Sequence, residues 1–374
     1  MDQRSASERS PPARAPAPRR PKAASRHADE HGSVPAEHGR NLRGPRDGSD
    51  AVYANIVDYV IRSTHRIWEE RGVGLIYSHY KHDCVVTTPL AVTRSRDEVV
   101  ASTLRTLAGF PDRRGHDNEV VWSGDDSEGF YSSHRVTATT RNTGWSDFGP
   151  PTGKKVVWRT IADRVVRANR VCEEWLVCDC MAVVHQMGLD VRMVAQKIAG
   201  QKVARGETLP DYGGVDRTLG QNPPPDAFTA PGAHDPAERL VCQVLHDLWN
   251  RRRFDVLRTA YARNVVAHVP PLIDIRGQNA YADYVIALLA MISNAGLIIH
   301  HVCSIPDGRG GRKVAVRWTL DGHHDGAGRL GDPTGKRLTL MGMSHYHVRG
   351  GKVVEEWAVF DELSLLVQLE MPTQ

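Results

Sequence analysis

Apolar residues change their period along the chain, and they do so twice in the same order. Ile56, Val57, Val60, Ile61, Ile67 and Trp68 recur at helical spacing. Leu240, Val241, Val244, Leu245, Leu248 and Trp249 repeat that stripe after Asp235, a good N-cap, and Pro236, suited to the first helical position. A short second helix is expected to lead to Tyr80 in one stretch and to Tyr261 in the other. A third follows. In the first stretch the capping box Ser95-Arg96-Asp97-Glu98 opens it, and in the second it carries Tyr281, Tyr284, Val285, Leu288, Leu289 and Ile292. The period then falls to two. Strands are expected near 118–123, 129–140, 154–167 and 170–179, and again near 297–304, 312–321, 336–348 and 352–361. Helices followed by long antiparallel strands specify an α+β fold. The expected architecture is a curved, mainly antiparallel sheet wrapped over three N-terminal helices, leaving a pocket between them.

The two stretches are copies. Phe148-Gly-Pro-Pro-Thr-Gly-Lys154 answers to Leu330-Gly-Asp-Pro-Thr-Gly-Lys336, and Arg170-Val-Cys-Glu-Glu-Trp-Leu-Val-Cys-Asp179 to Lys352-Val-Val-Glu-Glu-Trp-Ala-Val-Phe-Asp361, both at an offset of 182. The offset holds without a gap from Arg135 and Arg317 to Gln186 and Gln368, and becomes 181 at Trp68 and Trp249. Such register means a tandem duplication. Residues 51–199 form the first domain and 235–374 the second. Between them 200–234, with Asn222-Pro223-Pro224-Pro225, reads as a linker.

Composition adds the remaining segment. Residues 1–50 contain no Phe, Trp or Tyr, and Val34 and Leu42 are their only branched aliphatics, so a disordered tail is expected there. That tail holds ten Lys/Arg against seven Asp/Glu, whereas the rest of the chain holds 38 against 37. A nearly neutral body gives no support for nucleic acid as a partner. No apolar run approaches the length of a membrane span. The six cysteines match no zinc spacing, and the expected location is a reducing cytoplasm.

Candidate chemistry gathers at the end of each copy. In the second, Met341-Gly-Met-Ser-His-Tyr-His-Val348 turns at Gly350-Gly351 and returns through Trp357 to Asp361. His345 and His347 share a face. A two-residue turn pairs odd positions with even ones, so Asp361 joins that face only if a bulge shifts the register by one. If the shared face lines the pocket, a carboxylate and two imidazoles converge there, a combination suited to moving a proton from and back to carbon. Two histidines and a carboxylate could also hold iron or zinc. The competing structural readings are Asp361 as cap of a short helix Leu363 to Leu369, the histidines as cross-strand polar packing, and Glu355, Glu356 and Trp357 as ordinary sheet residues.

The paired Pro-Thr-Gly-Lys signatures, Gly-Lys-Val-Val-Glu-Glu-Trp, Val-x-Asp and the terminal Gln-Leu or Gln-Met resemble the SnoaL-like polyketide cyclase (ester cyclase) family of the nuclear-transport-factor-2-like superfamily. The resemblance covers most of 51–195 and 236–372. It implies a cone fold with a deep pocket and ring closure of a small carbonyl or polyketide-like compound without cofactor or metal. It makes Asp361 the general acid/base and His347, fourteen residues earlier, its assistant, with His345 a second polar pocket position. The first copy departs from the pattern. Asp179 matches Asp361, but Val165 stands where His347 does and Asp163 where His345 does, so that copy uses Asp163 with Asp179 or binds without catalysing. His134 and Arg135 could supply charge there. Tyr80, His82 and Trp158 in the first copy, and Tyr261, His268, Trp318 and Trp357 in the second, are candidate pocket walls, with core packing the alternative for each aromatic. A cyclase, isomerase or dehydratase is expected; the alternative is a non-catalytic binding or association module, its two domains paired as an intramolecular pseudo-dimer that could assemble further.

Overall fold

The computed structural model describes residues 53–212 and 232–372. The expected tail and most of the expected linker lie outside them.

Copy one opens with α1 (Ile56–Trp68), capped by the Asn55 side chain, which accepts from Asp58 N. A 3-10 turn leads into α2 (Ile76–His79), β1 (Tyr80–Thr88) and β2 (Ala91–Thr93). Then come α3 (Arg96–Gly109), capped by Ser95, and the long strands β3 (Arg114–Asp125), β4 (Gly129–Arg141), β5 (Lys155–Arg167) and β6 (Arg170–Cys178). Two helices close the copy, α4 (Cys180–Met187) and α5 (Val191–Ala204). Copy two repeats the plan. It runs through α6 (Pro236–Leu245), a π-helical turn, α7 (Val256–Ala260), β7 (Tyr261–Val269), β8 (Ile273–Arg276) and α8 (Gln278–Leu289). The strands β9 (Gly296–Pro306), β10 (Arg312–His323), β11 (Arg337–Arg349) and β12 (Lys352–Phe360) and the helix α9 (Glu362–Glu370) complete it. Asp235 and Glu238 form a full capping box on α6.

Each copy has one six-stranded sheet in the same order, β2-β1-β6-β5-β4-β3 and β8-β7-β12-β11-β10-β9. All pairs are antiparallel except β1 with β6 and β7 with β12. The N-terminal strands β1, β2, β7 and β8 were not anticipated. Residues 81–83 of β1 are all exposed, so alternation is confined to a short stretch from Cys84. The bulge required on β12 is present: Val348 faces Val353, and after a register shift His347 faces Glu355 and Met343 faces Val359. Copy one has the same shift between Val166, facing Val171, and Val165, facing Glu173.

The expected boundary at 199 falls inside α5, which continues to Ala204. Its residues Val194, Ala195 and Ala199 belong to the hydrophobic core of copy two, and Arg192 Nη2 donates to Leu330 O at 3.0 Å. The outer sheet faces also meet. Ile161, Val177, Met341, Met343 and Val359 form one buried cluster. The Arg135 guanidinium lies 3.8 Å from the ring centre of Trp357, and Arg317 lies 3.7 Å from that of Trp175. These are one contact made twice, by residues 182 positions apart. Among the described residues no helix is long and apolar enough to cross a membrane.

Candidate functional site

Alternation along the central strands sends one set of side chains into each cone and the other toward the opposite copy. In copy one the ladder His134–Ala162–Leu176, the ladder Val136–Thr160–Cys178 and the pair Arg164–Glu174 point inward. They border a cavity of about 170 Å³, roofed by α1 and α3 and walled by Trp68, Trp158, Ile67 and Val136.

Four polar features face this apolar space. Arg164 Nε donates to Glu174 Oε1 at 2.8 Å, and the Tyr80 hydroxyl donates to Oε2 at 2.9 Å, so both carboxylate oxygens are engaged. His134 is 1 % exposed, and its Nε2 lies 2.9 Å from Asn118 Oδ1. With that oxygen accepting, Nε2 carries the proton and Nδ1 holds the lone pair. Burial, reinforced by the Arg164 charge, pulls His134 well below the ordinary histidine range, so the ring is neutral at pH 7. The Cys178 thiol is pushed up to about 11 by burial and stays protonated. Arg113 stands between two indoles, its guanidinium 4.8 Å from the Trp68 ring centre and 6.0 Å from that of Trp158.

Copy two has the same frame with bulkier side chains at three of four inner positions. Val136 is replaced by Trp318, Thr160 by Gly342, Cys178 by Phe360 and Arg164 by Tyr346. Trp318 stacks on Trp249 at 6.4 Å and meets Phe360 edge-on at 5.8 Å. A Cβ on Gly342 would overlap the Trp318 ring, so the missing side chain is what admits the indole. Tyr261 and Tyr281 donate to the Glu356 carboxylate at 2.7 and 2.8 Å.

The sequence-derived site therefore needs correcting. The bulge does bring His345, His347 and Asp361 to one side of the sheet, but that side faces copy one, not the cone interior. His345 bonds Ser133 Oγ at 2.8 Å through Nε2 and Glu119 Oε1 at 3.0 Å through Nδ1. His347 Nε2 donates to Glu119 Oε2 at 2.8 Å, and Lys313 Nζ reaches the same oxygen at 2.7 Å. Burial pushes Glu119 up, yet the hydrogen bonds from the two histidines reverse this and hold it far below the ordinary carboxylate range. Burial alone would lower His347, but Glu119 and Glu355 push it up to about 9.

Asp361 is 3 % exposed and caps α9, accepting from Leu363 N at 3.1 Å and from Met181 N of copy one at 3.3 Å. Asp179 caps α4 through Ala182 N at 3.2 Å and accepts from Leu272 N of copy two at 2.8 Å. Burial first, and then the Asp179 charge, push Asp361 up to about 8; burial pushes Asp179 to about 7. Asp163 sits on the same interface, accepting from the Tyr131 hydroxyl beside Arg317. These five residues join the copies rather than line a cavity.

The candidate walls divide likewise. Tyr80, His134 and Trp158 border the copy-one cavity. His82 lies outside it, its side chain 80 % exposed. Tyr261 and Trp318 are core of copy two. His268 stacks on Trp357 at 3.6 Å on the inter-copy face, bonded to Asp274 and Glu355. Arg113, Arg164, Glu174 and Glu119 were not anticipated. The aligned copies carry a signal for two of them, since Arg113 and Arg164 stand opposite Ala295 and Tyr346. Among the described residues no group of three His, Cys, Asp or Glu is placed to hold a metal ion.

Solved structures similar to the chain each span about the length of one copy. A SnoaL-like polyketide cyclase candidate from Jannaschia sp. CCS1 is 16% identical, covering 39% of this chain and 99% of its own, with a TM-score of 0.34. IdmH, a polyketide cyclase candidate from Streptomyces antibioticus, is 22% identical over 36% and 99%, with a TM-score of 0.32. AclR from Streptomyces galilaeus, a hydroxylase candidate, is 21% identical over 36% and 86%, with a TM-score of 0.32. No curated protein matches the chain. Residues 239–369 match the family model of the SnoaL-like polyketide cyclases, and copy one repeats the sheet order of that half strand for strand.

Proposed function

We propose that the protein is a cyclase- or isomerase-type enzyme whose working site is the cavity of copy one, and that copy two is its association partner within an intramolecular pseudo-dimer. The observation that carries the reading is the free Nδ1 lone pair of a buried, neutral imidazole at the wall of an apolar cavity. Proton transfer from a carbon beside a carbonyl needs a base that is already deprotonated and shielded from water. His134 meets both conditions. Glu174 is the poorer base because Arg164 and Tyr80 occupy its oxygens. It holds those two groups across the floor of the cone. In this reading His134 takes the proton at Nδ1 and returns it to the ring-closed or isomerised product, and Asn118 fixes the tautomer.

The pseudo-dimer reading rests on the repeated Arg–Trp contact and on the bulkier interior of copy two. An association role fits that half, because Trp318, Phe360 and Trp249 pack together where copy one has Val136, Cys178 and Trp68 around its cavity.

The test is α-proton exchange of small cyclic ketones in D2O, followed by NMR with the full chain. Wild type should accelerate the exchange and His134→Ala should reduce it at least about 100-fold, within the usual range for general acid–base groups. The acid limb of the pH–rate profile should lie well below 6.5 because the base form of His134 persists there. Exchange that survives His134→Ala with the fold intact defeats the reading.

A further inference from the structure

Arg113 presents a problem of charge. The residue is 7 % exposed, and no carboxylate, carbonyl or hydroxyl among the described residues accepts from it or pairs with it. Its neighbour Arg114 takes the nearby Glu69, at 3.5 Å. The other arginine of the cavity, Arg164, is neutralised by Glu174. Glu69 attracts Arg113 without forming an ion pair with it, so one positive charge has no contacting partner at the wall of an apolar space. Burial lowers Arg113 from its ordinary value, but a guanidinium does not give up its proton in the physiological range. The indole faces of Trp68 and Trp158 offset part of its desolvation. A buried cation without a contacting counter-ion remains costly all the same.

Copy two shows a different arrangement at the same positions. There Ala295 stands at the Arg113 position, and the Trp318 ring covers Trp249 where the guanidinium covers Trp68. One copy stacks an indole on the repeated tryptophan; the other stacks a cation there beside an opening.

We propose that Arg113 makes the copy-one cavity a receptor for a flat, ring-sized organic acid, whose carboxylate pairs with the guanidinium while its ring lies among Trp68, Trp158, Ile67 and Val136. The ring size follows from the volume, since about 150 Å³ of apolar cavity accepts benzene and this one holds about 170 Å³. The carboxylate follows from the planar fork, which matches it with two parallel bonds. A second negative charge would be left unpaired, so the acid is a monoanion. This deepens the proposed function, on whose cavity it rests, by assigning the substrate a carboxylate besides its carbonyl.

Calorimetric titration of the full chain with benzoate and with its neutral methyl ester tests the assignment. Wild type should bind benzoate at least about tenfold more tightly than the ester. Arg113→Met should bind the two alike, and Arg113→Lys should recover part of the preference. The double variant Val136→Trp with Thr160→Gly installs the plug of copy two and should bind neither probe, which locates the site. Ester binding that equals benzoate binding in wild type overturns the role of Arg113 while leaving the cavity and the proposed function standing. Failure of wild type to bind either probe overturns both. A preference for benzoate that persists in Arg113→Met, with circular dichroism showing the fold intact, also overturns the role of Arg113. Should that variant not fold, the wild-type ratio and Arg113→Lys still decide.

Discussion

The glutamate that closes each Glu-Glu-Trp pair shows how one substitution changes what an inherited residue does. Glu174 lies against Arg164, whereas Glu356 lies against Tyr346 at the same position and accepts from Tyr261 and Tyr281. With no cation beside it, burial pushes Glu356 up to about 7, although the tyrosine hydroxyls pull the other way. A carboxyl raised above its unfolded value of 4.5 contributes stability at low pH and loses it as pH climbs through about 7. Glu356→Gln keeps an acceptor for the tyrosines and cannot ionise. It should match wild type near pH 5 and exceed it by about 1–2 kcal/mol at pH 9, read by denaturant unfolding at the two pH values. A variant less stable than wild type at both would mean that Glu356 is held charged.

At the scale of strands and helices, the sheet positions the chemistry, and its burial explains why part of the site was hard to read. The repeat, the three-helix entry and the long strands were legible, because periodicity and turn residues fix them locally; the bulge on β12 entered only as a condition, since the Gly350-Gly351 turn by itself pairs odd positions with even ones. Which face of the sheet lines the cavity was not. Seven consecutive residues of β5 and of β11 are buried, on both faces, so the alternation that separates inside from outside is absent. Helices cover one face and the other copy covers the second. His345 and Asp163 thus carried no sign in the sequence that their face was an interface. Helix α5 escaped for a different reason: its chain position beside Gly200 and Gly206 suggested a linker, while its apolar residues serve the core of copy two. The plug in copy two is an element-scale feature as well, set by the pair Trp318 and Gly342 on neighbouring strands. Gly342→Ala should therefore cost about 1–3 kcal/mol by overpacking, measured by thermal unfolding. A neutral result would mean that the indole is free to move and the interior of copy two less full than its packing indicates.

Across the whole molecule the two copies are held by groups that titrate near neutrality, so their union depends on pH. His347 is pushed up to about 9 by Glu119 and Glu355 against the effect of burial, and its contribution is complete below 6.5 and lost as pH rises through 9. Asp361 and Asp179, at about 8 and about 7, act in the same direction, because burial makes their ionised forms unfavourable. Glu119 is depressed instead and gives its stability at any pH above the ordinary carboxylate range. Between pH 6.5 and 9 nothing in this set compensates, and unfolding should become easier throughout that interval. Asp361→Asn isolates the carboxyl pair. Its Oδ1 can still accept from Leu363 N and Met181 N, but no charge appears beside Asp179. The variant should match wild type near pH 4, be ahead of it by pH 6 and lead by about 1–3 kcal/mol at pH 9, a discounted figure because the two carboxyls titrate as a pair. Exchange catalysed in the copy-one cavity should be unchanged at pH 6, since Asp361 touches the interface and not the cavity. A loss of exchange there, with unaltered stability, would return Asp361 to the chemistry.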